Sequence, residues 1–111
     1  MRERSVQHCN LRTMRNLPPQ LAEMLHEIVQ QYAPHHTLYA FGSRVRGTAH
    51  AGSDLDLVLR QDASPELVCE GLSALQTALS ESNIPMLIDI HDWARLPETM
   101  RAEIAKGMVA V

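Results

Sequence analysis

The chain has 111 residues, 45% hydrophobic and 21% charged, with a net charge of −3; that suffices for one domain with a real core and is too little for two. The balance excludes a disordered chain, and the lack of a basic surplus argues against a general nucleic-acid binder, although bound metal ions still leave nucleotides open as ligands. No apolar run approaches the roughly 20 residues of a membrane span, and none follows the N-terminal arginines as in a secretory signal, so a cytoplasmic protein with no membrane partner is expected. Cys9 and Cys69 have neither metal-ligand spacing nor a CxxC partner, which predicts two reduced thiols.

In chain order, residues 1–16 are charged and aperiodic and are expected to form a mobile arm; residues 17–111 form the domain. Pro18 and Pro19 suit the first turn of a helix. Leu21, Met24, Leu25, Ile28 and Val29 then recur at one-sided helical spacing, up to Pro34. Thr37 to Phe41 reads as a short buried strand, and Asp54 to Arg60 as a strand with one apolar face. Ser64-Pro65-Glu66 predicts an N-cap, first helical position and acidic first turn, with Val68, Leu72, Leu75 and Leu79 on the stripe that follows. Pro85 to Ile90 is a third strand. Pro97 and Glu98 open a last helix whose inward side is Met100, Ile104 and Met108. The sum is an α+β domain with a small mixed sheet.

Acids weaken strands, so the D-L-D of "GSDLDLVL" needs a reason. Alternation puts Asp54, Asp56 and Val58 on one face and Leu55, Leu57 and Leu59 on the other. With the leucines in the core, both acids project together, their α-carbons roughly 7 Å apart. Such a pair can converge on one divalent ion or bridge two, and like charges held this close call for a cation. Hard oxygen ligands near a phosphate favour Mg²⁺ over Zn²⁺. On the third strand, a core-facing Ile88 and Ile90 bring Asp89 out on the same side, where it can join the metal shell and accept a proton from an attacking hydroxyl. Asp92 has the wrong parity and is placed past the strand end. Taken singly, each acid has a structural explanation: a turn for Asp54, edge protection for Asp89. Three on one face outweigh those explanations.

"FGSRVRG" follows a strand directly. Gly42 lets the backbone approach a ligand, and the N–H groups there, with the Ser43 hydroxyl, make a phosphate cradle. Arg44 and Arg46 add charge-assisted contacts. The stretch is neither a Walker A loop nor a dinucleotide fingerprint. His35, His36 and His50 fit solvated turns and loops. His91 has the parity of Asp89, and Trp93 either covers the strand end or meets a partner.

Gly42-Ser43, Gly47, Ser53-Asp54-Leu55-Asp56-Leu57 and a later Asp89 together resemble the nucleotidyltransferase superfamily of DNA polymerase beta-like enzymes. Within it they are most similar to the minimal nucleotidyltransferases (MNT) encoded beside HEPN-domain proteins. The resemblance implies the nucleotidyltransferase fold, with helices packed mainly on one face of the sheet. It implies that Gly42 and Ser43, with Arg44, Arg46 and Ser53, bind the nucleoside triphosphate. Asp54, Asp56 and Asp89 would bind two Mg²⁺ ions, with Asp89 also activating the acceptor. The implied reaction is attack on the α-phosphate of ATP with loss of pyrophosphate. Larger members carry a second, acceptor-binding domain, whereas only one helix's worth of chain follows Asp89 here. The acceptor is therefore expected from a hetero-oligomeric partner: the resemblance implies a HEPN-type toxin, neutralised by AMP transfer to a tyrosine. Alternatives are a non-catalytic antitoxin that blocks its partner sterically and transfer to a small molecule.

Overall fold

The computed structural model describes residues 18–42, 55–84 and 87–111. The N-terminal arm, Ser43, Arg44, Arg46, Gly47, His50, Ser53 and Asp54 lie outside the described residues.

Helix α1 (Pro19–Tyr32) starts with a proline in its first turn and stops where the Ala33 N–H folds back to the Val29 carbonyl at 2.7 Å. Its buried residues are Leu21, Leu25 and Val29, the centre of the predicted stripe, with Met24 and Ile28 half-buried beside them. Strand β1 (Thr37–Phe41) pairs antiparallel with β2 (Leu55–Arg60), and β2 pairs parallel with β3 (Ile88–Asp92). Helix α2 (Leu72–Ser80) is the crossover between those parallel strands. After β3 come a 3-10 turn (Trp93–Arg95), helix α3 (Glu98–Ala105) and a two-residue strand β4 (Val109–Ala110), which joins the free side of β1. The sheet order is β3-β2-β1-β4. Among the described residues no helix is long and apolar enough to cross a membrane.

The two faces of the sheet are covered unequally. Leu55, Leu57 and Leu59 join Leu25, Leu38, Ala40, Leu75 and Ile90 in the main core beneath α1 and α2. On the opposite face a smaller cluster of Val58, Trp93 and Ile104 packs beneath the 3-10 turn and α3, with Tyr39, Phe41, Leu96 and Met108 around it. Trp93 is thus a core residue of this smaller cluster. Its ring lies near two cations, Arg60 at 5.1 Å and Arg101 at 5.9 Å. Arg101 also donates to the Trp93 and Ala94 carbonyls, both at 2.9 Å, fastening α3 to the turn.

Three expectations are corrected. The helix expected from Ser64 begins at Leu72. Gln61 Oε1 accepts from the Ala63 and Ser64 N–H groups at 2.7 and 3.2 Å, holding Ser64 in a turn, while the Cys69 N–H is taken by Asp92 Oδ2 at 2.7 Å. A helix opened at Ser64 would need the Cys69 N–H for the Pro65 carbonyl, and Asp92 holds it, so the helix follows Gly71, where a Cβ would run into the Tyr32 carbonyl. Asp92 is the last residue of β3 rather than beyond it, and it is only 2% exposed. It caps the 3-10 turn through the Ala94 N–H and pairs with Arg95 Nε, each at 3.2 Å. Met100, expected inward, is exposed, because Ile104 alone fills the α3 side of the small cluster. Cys69 is a free, buried thiol, and that burial pushes its pKa up.

Candidate active site

The alternation of β2 sends Asp56 to the face opposite the leucine core, and the alternation of β3 sends Asp89 to the same face, since Ile88 and Ile90 belong to the main core. The parallel register pairs Asp56 with Asp89, and the antiparallel register pairs Asp56 with Phe41. Phe41, Asp56 and Asp89 therefore form one row across three strands, with neighbours roughly 5 Å apart. Gly42 follows Phe41 directly, at the end of that row.

Gly42 has φ +87°, and a Cβ built on it would land on the Asp56 carboxylate. Two requirements meet at this residue. The backbone adopts a conformation that L side chains rarely take, and the space a side chain would fill already holds the carboxylate. Gly42 and the second acid of the D-x-D, 14 positions apart in sequence, are thereby in contact.

Asp89 is the more open of the two acids, its side chain 62% exposed, and Oδ2 stands 3.4 Å from His91 Nε2. His91 occupies the next position on that face of β3, beside Val58, and its ring lies 6.0 Å from the Phe41 ring. Parity puts both Asp89 and His91 on this face, but nothing in the sequence says that they touch. Farther along the face, Tyr39 donates to the Asp62 carboxylate at 2.8 and 3.0 Å, and Arg60 pairs with Asp62 at 3.1 Å. Burial, and then the bond to Asp62, raises the Tyr39 pKa above 10.

Beside the row, a cavity of about 600 Å³ opens between Gly42, Phe41 and the C-terminal half of α3, with Glu103 and Lys106 at its wall. Lys106 is a lysine of this region that sequence reasoning missed; it lies in the chain far from the acids, and only the return of α3 over β1 brings it near Gly42.

The donor set suits a hard cation. Asp56 and Asp89 present carboxylate oxygens from adjacent strands, and the missing Cβ of Gly42 makes room for one of them. Among the described residues no cluster of three His, Cys, Asp or Glu side chains that could hold a metal ion is formed. Asp54, the third predicted acid, is outside them.

Comparison with known proteins gives a consistent family. Residues 23–111 match the family model described as polymerase beta nucleotidyltransferase. Over 84 residues the chain is 39% identical to a Haemophilus influenzae (strain ATCC 51907 / DSM 11121 / KW20 / Rd) protein named "Probable protein adenylyltransferase MntA", covering 76% of this chain and 72% of that one. A crystal structure of a toxin–antitoxin with AMP-PNP superposes with a TM-score of 0.64 over 79% of this chain and 69% of that chain. At 19% identity that similarity speaks for the fold.

Proposed function

Because the chain belongs to the polymerase beta nucleotidyltransferase family, we propose that it is a protein adenylyltransferase that moves AMP from ATP to a hydroxyl of a partner toxin and acts as its antitoxin. The acceptor is a tyrosine of a HEPN-type partner. The observation that carries this reading is that Asp56 and Asp89 stand in register on adjacent strands, with Gly42 directly against Asp56.

In the proposed step the acceptor oxygen bonds to the α-phosphorus of ATP, the bond from that phosphorus to the bridging β-phosphate oxygen breaks, and pyrophosphate leaves. Asp89, the exposed carboxylate, accepts the hydroxyl proton. Gly42 and Ser43 hold the triphosphate through backbone N–H groups and a hydroxyl, with Ser53, Arg44 and Arg46 as further phosphate contacts. Asp54, Asp56 and Asp89 are the residues that would hold Mg²⁺, whose chemistry here is neutralising phosphate charge and polarising the phosphoryl group. Such transfer depends mainly on positioning and charge compensation, which suits carboxylates held in register on adjacent strands.

The test is co-expression with the product of the neighbouring gene, with and without Asp54→Ala plus Asp56→Ala, followed by intact masses of both chains. A partner heavier by whole multiples of an adenylyl group (AMP less water) only when the acids are intact supports transfer. An unmodified partner in a stable complex would replace this reading with steric neutralisation. The similarity to the protein named an adenylyltransferase is what favours transfer.

A further inference from the structure

Two cavities flank the acid row on opposite sides of β2. One lies at Gly42, beneath α3. The other, about 610 Å³, runs along the outer edge of β3, between that edge and α2; Leu79, Ile84, Leu87, Ile88 and Asp89 are among its lining residues. An in-line displacement puts nucleophile and leaving group on opposite sides of the phosphorus. With pyrophosphate leaving on the Gly42 side, the acceptor has to arrive from the Asp89 side, and that side is the β3 groove.

The edge itself suits a polypeptide. β3 is the outermost strand of the sheet among the described residues. The Leu87 carbonyl accepts from the Leu55 N–H at 2.9 Å, so the parallel ladder turns positions 87, 89 and 91 toward β2 and points the N–H groups of Ile88 and Ile90 outward. Leu87, 74% exposed, stands beside Asp89 on the lip of the groove, while Leu79 and Ile84 form its apolar wall. A strand added to such an edge alternates its side chains. One residue would enter the apolar wall, and its neighbour would cross the edge onto the acid face.

We propose that the β3 edge groove is the docking track of the acceptor polypeptide: an extended segment of the partner pairs with Ile88 and Ile90, rests on Leu79, Ile84 and Leu87, and turns its hydroxyl-bearing residue onto Asp89. The groove is continuous with the acid face at Asp89, so what fills it is delivered to the reacting centre. This inference rests on the reading that the acceptor is a protein.

The experiment has two measurements, both with the partner co-expressed from the neighbouring gene. Amide exchange of the complex, compared with this chain alone, is expected to protect the Ile88 and Ile90 N–H groups. Leu87→Glu is expected to raise the KM for the partner by roughly tenfold or more, leaving the Kd for ATP unchanged as the check that the domain is folded; Leu87→Ala gives a smaller rise in the same direction. Unprotected Ile88 and Ile90 in a formed complex, or a Leu87→Glu KM within about twofold of the parent, would overturn the docking track. A bound but unmodified partner with Ile88 and Ile90 protected would overturn transfer alone and support the track.

Discussion

Asp56 and Asp89 stand opposite one another in the parallel pairing of β2 and β3, yet their surroundings differ: Asp56 lies against the Cβ-less face of Gly42, and Asp89 is open to solvent beside His91. In the proposed transfer, the open carboxylate at the edge of the row is the group that takes the proton of the incoming hydroxyl. Asp89→Asn keeps the size and loses the basicity. It is expected to lower AMP transfer by about 10²–10⁴-fold, while the unfolding free energy from urea melts stays within the roughly 0.5 kcal/mol typical of surface changes. Transfer at the parental rate, read by intact mass over a time course, would remove Asp89 from the proton-accepting role.

Asp92, three residues on, predicts the reverse pattern. Its buried carboxylate takes the Cys69 N–H at 2.7 Å and the Ala94 N–H at 3.2 Å, and pairs with Arg95. Asp92→Ala leaves a buried N–H without its acceptor, at a cost of about 1–3 kcal/mol. Urea unfolding is expected to show that loss, with transfer per folded molecule retained. An unchanged midpoint would mean that the turn before α2 is held by something other than Asp92.

The contrast between these two acids marks how far the sequence could be read. Period-two alternation assigned Asp56 and Asp89 to the outer face and Leu55, Leu57, Leu59 and Ile90 to the core, because a strand leaves no third choice. Proline and the following polar run bounded α1 and β1 correctly. What alternation cannot give is register: that Asp56 lies opposite Asp89, and that Gly42 touches Asp56, depends on which strands pair and in which direction. The start of α2 was misread because Ser64-Pro65-Glu66 is a good local helix opening, and a side chain 23 positions away, Asp92, captured the Cys69 N–H instead. Strand β4 was missed because two residues carry no period.

Gly42 is expected to tolerate no side chain. Gly42→Ala meets a positive φ of 87° and the Asp56 carboxylate together, so a destabilisation of about 1–2 kcal/mol from the backbone alone should accompany a larger loss of transfer as Asp56 is displaced. Gly107→Ala is the control, since a Cβ there meets nothing within 4 Å, and it is expected to be neutral or to stabilise by about 0.4–1 kcal/mol. Thermal melts and AMP transfer on both variants decide the matter. Equal behaviour of the two would show that the close approach of Gly42 to Asp56 is not required.

Tyr39 gives the fold an alkaline limit. Its phenol is held above its usual pKa of 10.0 by burial first and then by its bond to Asp62, with Arg60 working against both. The fold therefore favours the neutral phenol. Its contribution to stability is complete below pH 10, where the phenol is neutral folded or unfolded, and it is lost as pH rises from there through the higher folded value. Tyr39→Phe removes both the bond and the titration. Below pH 10 the variant is expected to be less stable by about 0.5–1.5 kcal/mol; above pH 10 the gap narrows, because only the parent has a phenol to ionise. Urea midpoints for both proteins between pH 8 and 11 test this, and a gap that stays constant across that range would show that the Tyr39–Asp62 contact does not link proton binding to folding.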